Sequence, residues 1–159
     1  MRHRTVAAAL AVAVVGAGVL AGCGSSVSPA AAVRSWAAAA GPFGESVQTL
    51  ERDASRVHDA IRAGRSAPEI RTDCAELYQD ANGENTDLLP TPDPQLTAHL
   101  SAAYDGFVRA SAMCVSSPGT ERVLVVVDRA LARSIGDLYA AILREGVVTG
   151  HRLVPPGSA

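Results

Sequence analysis

Apolar residues recur along most of this chain at alternating steps of three and four positions, the spacing of one buried face of an α-helix. Over residues 29–63 this seam keeps its phase from Val33 to Ile61. Ser28 is a candidate N-cap, followed by a proline in the first turn. Gly41-Pro42 interrupts the backbone hydrogen bonds without shifting the seam. We therefore predict one long helix with a kink or short break at Gly41-Pro42.

Three further stretches, residues 66–81, 93–116 and 120–145, show the same spacing. Ser66 and Glu69 form a capping-box pattern at the start of the first, and Asn82-Gly83 is expected to end it. The valine-rich run at 123–127 would suit a strand, but helical spacing continues to Ile142. The apolar seams are Ile70, Cys74, Leu77 and Ala81; Leu96, Leu100, Ala103, Phe107, Ala110 and Cys114; and Leu124, Val127, Leu131, Ile135, Leu138 and Ile142.

These four helical stretches predict an all-α fold, namely an up-down antiparallel four-helix bundle over residues 29–146. The connection at 82–92 is expected to be a loop that tucks Leu88 and Leu89 against the bundle. Residues 147–159 end in a Pro-Pro-Gly-Ser-Ala run and are predicted to be a flexible tail.

The first 22 residues have the three parts of an export signal. Arg2 and Arg4 are basic, residues 6–20 are apolar, and the segment ends in small residues. The apolar stretch is shorter than the roughly 20 residues that a helix needs to cross a bilayer. Leu20-Ala21-Gly22-Cys23 resembles the lipobox of bacterial lipoproteins. This resemblance implies cleavage after residue 22 and transfer of a diacylglyceryl group, with a further acyl chain, to the new N-terminal Cys23.

Residues 23–28 would then be a lipidated tether on the extracytoplasmic side of the cell membrane, because two or three acyl chains anchor a protein stably. The alternative is an ordinary cleaved signal with Cys23 merely close to the cut. Trp36 lies near the anchor and in phase with the seam, so it either packs in the core or rests among lipid headgroups.

Cys74 and Cys114 both fall on buried seams of consecutive helices, where an antiparallel arrangement brings them together. Outside the cytoplasm thiols are readily oxidised, so we predict an inter-helix disulfide between them. Two free, buried cysteines are the alternative. A catalytic redox pair is not favoured, because the Cys-x-x-Cys spacing is missing.

The composition shows no sign of a reaction centre or of a nucleic-acid surface. Without residues 1–22 the chain has 12 Arg, no Lys and 16 acidic residues, a formal charge of −4, and the arginines are dispersed. His58 and His99 flank two seams, but two histidines without an adjacent acidic pair do not complete a metal site. We therefore predict no catalytic, metal-binding or cofactor-binding residues, and no enzyme activity.

The pattern also resembles a recurrent type of small exported helical protein of high-GC bacteria. The likeness rests on Cys74 and Leu77, the run LPTPDPQLTAHL at 89–100, and Phe107 and Cys114. It implies export and a helical fold. The sequence therefore favours a non-enzymatic, membrane-anchored envelope lipoprotein that acts as a scaffold or interaction module for another envelope protein. The alternative is a carrier that holds a small apolar ligand between its helices.

Overall fold

The structure, a computed structural model, describes residues 27–39, 43–117 and 119–150, without the side chains of residues 43 and 84–87. Within those residues the chain forms five α-helices and no strand. The all-α prediction is thus confirmed, and the valine-rich run at 123–127 is helical. The signal segment, Cys23, Gly41-Pro42 and residues 151–159 lie outside the described residues.

The helices follow the predicted order. Two of them stand where the sequence predicts one helix with a kink or short break, and residues 40–42 between them are not described. The helices are α1 (Pro29–Ala39), α2 (Phe43–Arg62), α3 (Ala67–Asp87), α4 (Pro94–Ser116) and α5 (Glu121–Thr149). α5 also runs past residue 146, where the sequence predicts that a flexible tail begins. Thr149 in its last turn is buried.

Local capping chemistry accounts for several helix ends. The Ser28 hydroxyl accepts a hydrogen bond of 3.2 Å from the backbone N–H of Ala31 at the start of α1. Gly64 has a φ of 62° after α2 and Gly150 a φ of 75° after α5. Both glycines occupy the left-handed region, which a residue without Cβ enters at little cost.

α3 continues through Asn82-Gly83, where the sequence predicts its end. The glycines with positive φ in the described residues are Gly64, Gly119 and Gly150, so Gly83 keeps a helical backbone. The extension brings the end of α3 closer to the start of α4. A helix ending at residue 81 would reach only about 10 Å beyond Cys74, and one ending at Asp87 reaches about 20 Å. α4 extends about 30 Å from Cys114 to its start.

The predicted seams form the hydrophobic core. The buried members of the seams are Val33, Val47, Leu50, Ala54, Val57, Ile70, Cys74, Leu77, Ala81, Leu96, Leu100, Ala103, Phe107, Ala110, Cys114, Val127, Leu131 and Leu138. Five others pack against the core while partly exposed: Trp36, Ile61, Leu124, Ile135 and Ile142. Leu88 is buried and Leu89 packs against the core, as the sequence predicts.

Each of the long helices α2 to α5 packs against two of the other long helices. α2 contacts α3 and α5, α4 contacts α3 and α5, and α1 contacts α5. α4 and α5 approach closely where Gly106 faces Ser134: a Cβ atom at Gly106 would lie 2.2 Å from the Ser134 Oγ. A larger residue at position 106 would therefore require Ser134 or the helices to move.

Candidate functional site

A disulfide joins Cys74 of α3 to Cys114 of α4, as the sequence predicts, with a Cα–Cα distance of 6.1 Å. Both cysteines are buried, because each lies on the core seam of its helix. The bridge closes a loop with a sequence separation of 40 residues. In the chain-entropy model, closing a loop of this size in the unfolded chain raises the free energy of unfolding by roughly 4 kcal/mol. The bridge therefore fixes α3 against α4.

A surface groove of about 260 Å³ lies on the solvent side of this disulfide, between α3 and α4. It includes the residues that directly follow the two cysteines, Ala75 and Val115. Tyr78 and Val115 are 39% and 41% exposed, which is high for apolar side chains of this size. The complete lining is Ala75, Tyr78, Gln79, Ala112, Val115 and Ser116.

An acidic cluster links α2 to α3. Asp53 is only 2% exposed, and Arg56 donates to its Oδ1 atom. Arg56 also donates to Glu76 of α3 at 2.8 Å, and this contact is exposed. The Oδ2 atom of Asp53 is buried and has no hydrogen-bond partner in the structure. A second carboxyl group, that of Asp80, lies beside it.

The carboxyl group of Asp80 holds its proton more tightly than a free aspartate does, because its pKa is raised. A hydrogen bond to Asp53, then burial, then the negative charges of Asp53 and Glu76 raise the pKa of Asp80 to about 6, against the opposing charge of Arg56. Protonated Asp80 can donate to the otherwise unsatisfied Asp53 oxygen. When both groups are ionised, their repulsion weakens the contact between α2 and α3.

Asp93 ties the start of α4 to α5 in two ways. Its carboxylate accepts a hydrogen bond of 2.7 Å from the N–H of Leu96, which makes it the N-cap of α4. Arg144 donates to both of its oxygens, at 3.0 and 2.7 Å. The hydrogen bond from Arg144 and those from the backbone lower the pKa of Asp93 to about 2, against the effect of burial.

The two histidines considered in the sequence lie on different helices. His58 of α2 is paired with Asp128 of α5, with 2.5 Å between Nδ1 and Oδ1. It borders a cavity of about 400 Å³ lined by Ser55, His58, Asp59, Leu131, Ala132 and Ile135. His99 is half-buried in α4. In the part of the chain that the structure describes, no group of three or more His, Cys, Asp or Glu is arranged to hold a metal ion.

Trp36 packs half-buried against the core, and its indole N–H donates to the carbonyl of Leu88 at 3.0 Å. Arg34, on the same helix, donates to the carbonyl of Thr149 at 3.1 Å. α1 is thus fixed to the segment after α3 and to the C-terminal end of α5, where cations are favourable.

The sequence reasoning missed the Asp53 cluster and the Asp93–Arg144 pair, although one signal was present. Asp53 lies three residues after Leu50 and four before Val57, so the 3-4 spacing places it on the buried seam. An acidic residue at such a position demands polar partners from another helix. No local pattern predicts the pairing of Asp93 with Arg144, because the two residues are 51 positions apart in the sequence.

None of the described helices combines the length and apolar character needed for a membrane span. Comparisons of the chain with models of known protein families, with curated proteins and with solved structures gave no match.

Proposed function

We propose that this protein is a non-enzymatic envelope lipoprotein, held on the extracytoplasmic side of the cell membrane by acylated Cys23. The observation that carries the proposal is the Leu20-Ala21-Gly22-Cys23 run placed directly before a helical body. The Ser28 cap of α1 lies only five residues after Cys23. The connection is long enough to be a tether and too short to form a separate domain.

We further propose that α2 to α5 form an up-down bundle, with the break between α1 and α2 at Gly41-Pro42. Contacts between helices support this arrangement, because neighbouring helices meet in opposite order along the chain. α2 meets α3 through Asp53–Asp80 and Arg56–Glu76, and it meets α5 through Glu51–Tyr139 and His58–Asp128. Early residues meet late ones in Cys74–Cys114 of α3 and α4 and in Asp93–Arg144 at the start of α4 and the end of α5. α1 then lies across the end of the bundle that holds the C-terminus of α5.

The role we propose is that of a scaffold or interaction module for a second envelope protein. A body fixed by an inter-helix disulfide and a continuous core presents the same surface whether or not a partner is bound. The side chains of the acidic cluster contact one another between α2 and α3, so their contacts are accounted for by helix packing. The serines that are buried on α4 and α5 donate to carbonyls of their own helices, as in Ser111 to Phe107 at 2.6 Å.

Metabolic labelling with palmitate tests the anchor. We expect label in the wild-type protein and in the Ser25→Ala variant, which changes a neighbouring tether residue conservatively. We expect none in Cys23→Ser. Unlabelled wild-type protein, or a Cys23→Ser variant that still carries label, would contradict the proposal.

Photo-crosslinking in cells tests the interaction role. A photoreactive amino acid at Tyr78 would report on the α3–α4 groove, and the same amino acid at Ala98, exposed on α4, is the matched control. We expect a discrete higher-mass product from position 78 that contains another envelope protein. Equal, diffuse labelling from both positions would count against an interaction role for this groove.

A further inference from the structure

The outward side of α5 carries a second helical stripe, opposite the core seam. Its residues follow steps of three and four from Arg122 to Val147. We call it the outer α5 face: Arg122, Val125, Arg129, Ala132, Gly136, Ala140, Leu143 and Val147. At 1.5 Å per residue it is about 38 Å long.

Large apolar side chains on this face are unusually exposed. Val147 is 74% exposed, Leu143 58% and Val125 42%, and the adjacent Val126 is 46% exposed. Leu143 and Val147 are one helical turn apart, so they form a single apolar patch near the C-terminal end of α5. Several such residues on one side of one helix are characteristic of an interaction surface.

The same face is cationic at its other end. Arg122 and Arg129 lie on it and Arg133 borders it, and all three are exposed. Among the described residues, the ion pairs of arginine use Arg56, Arg65 and Arg144 instead. No acidic residue lies on the stripe itself. Glu121, Asp128 and Asp137 border it, and Asp128 is paired with His58.

The position of α1 brings this face close to the anchor. α1 packs against α5, and Arg34 of α1 contacts the C-terminal carbonyl of α5. Residues 23–29 reach at most about 20 Å when extended. Acyl chains on Cys23 would therefore hold the end of α5 that bears Leu143 and Val147 within a short distance of the lipid surface.

We propose that the outer α5 face lies on the surface of a bilayer that contains anionic phospholipid. This inference rests on the proposed lipid anchor. Val125, Leu143 and Val147 enter the headgroup boundary, and the arginines pair with headgroup phosphates, as in helices that lie in the plane of a membrane. α3, which contacts α2 and α4 on the other side of the bundle, then faces away from the lipid with its groove accessible.

Depth-dependent fluorescence quenching tests this orientation. The protein is purified from membranes as Val147→Cys and, as a control on α3, Gln79→Cys, each labelled with an environment-sensitive dye. Each is added to vesicles of phosphatidylcholine and phosphatidylglycerol in which some lipids carry a nitroxide quencher. We expect several-fold stronger quenching at position 147 than at position 79. Equal quenching at the two positions, or none at either, overturns the orientation.

A charge-matched pair of triple variants tests the role of the arginines. Arg122→Gln with Arg129→Gln and Arg133→Gln removes the charges of the proposed face. Arg52→Gln with Arg62→Gln and Arg109→Gln removes three exposed charges elsewhere. We expect the first triple variant, and not the second, to reduce quenching at position 147 and to make it insensitive to salt. Equal effects of the two triple variants on quenching would overturn the proposed pairing of these arginines with headgroup phosphates.

The acylation state of each sample is measured separately by mass spectrometry. An unmodified Cys23 refutes the proposed anchor whatever the quenching shows. An acylated protein with equal quenching at positions 147 and 79 refutes only the orientation. The two failures are therefore distinguishable.

Discussion

At the scale of single residues, the contact between Gly106 and Ser134 sets how closely α4 and α5 approach. A Cβ at Gly106 would lie 2.2 Å from Oγ and 3.2 Å from Cβ of Ser134. We expect Gly106→Ala to lower the free energy of unfolding by about 1–3 kcal/mol, measured by urea denaturation, because the helices must separate or Ser134 must change rotamer.

Gly136 on α5 provides the matched control, since a Cβ there meets nothing within 4 Å. Gly136→Ala should raise stability by roughly 0.5–1 kcal/mol, because alanine is the better helix former. Adding Ser134→Ala to Gly106→Ala should recover part of the loss. If both glycine variants changed stability by the same amount and sign, the close contact of α4 with α5 would be refuted.

Two aspartates make stability depend on pH in opposite directions. The pKa of Asp80 is raised to about 6 in the folded state. The folded protein therefore binds the proton more tightly than the unfolded chain, and stability falls as pH rises from about 4 through 6. Asp80→Asn keeps a donor for Asp53 at every pH. We expect this variant to flatten that slope and to gain up to about 1 kcal/mol at pH 7, a figure limited by solvent screening.

Asp93 serves as the control, because its effect on stability changes with pH in the opposite direction to that of Asp80. Its pKa is lowered to about 2, so its ionised form stabilises the fold above about pH 4, and that stability is lost as pH falls through 2. Asp93→Asn should reduce the loss of stability below pH 4 and leave the slope between pH 4 and 6 unchanged. Thermal melts across pH 2–8 measure both effects. A slope between pH 4 and 6 that survives in Asp80→Asn would show that the Asp80 carboxyl group is not its source.

At the scale of helices, apolar spacing was sufficient to predict which face of each helix is buried, from Val47 on α2 to Leu138 on α5. It also placed Cys74 and Cys114 opposite each other. The spacing could not predict that α3 passes through Asn82-Gly83, because local turn preference outweighed it at that point. The length of α4, which lies beside α3, favours a longer α3, and no local sequence pattern reports that length.

Gly83 directly tests whether α3 continues as a helix at this position or ends in the turn that the local sequence predicts. Gly83 has a helical backbone, and a Cβ there meets nothing within 4 Å. Gly83→Ala should therefore stabilise the protein by about 0.5–1 kcal/mol, measured by chemical denaturation. Gly64→Ala is the contrasting variant, because its φ of 62° strains any L side chain. Loss of stability in Gly83→Ala would indicate a turn at this position, as the local sequence suggests.

At the scale of the whole molecule, the features of the sequence on which the proposed function rests lie at its beginning, and those that concern folding lie in the five helices. The helical seams, the Cys74–Cys114 bridge and the Ser28 cap could be predicted from residue types and spacing. The Asp53 cluster and the pair of Asp93 with Arg144 could not, because they depend on which helices become neighbours. Trp36 packs against the core and donates to the carbonyl of Leu88, which is the core-packing alternative of the two that the sequence left open.

Mass spectrometry of the N-terminal peptide of protein extracted from cell membranes tests the central claim most directly. We expect the peptide to begin at Cys23 and to carry a diacylglyceryl group on its sulfur, with residues 1–22 removed. A peptide that begins at Cys23 without lipid, or one that still contains the preceding residues, would contradict the proposed anchor.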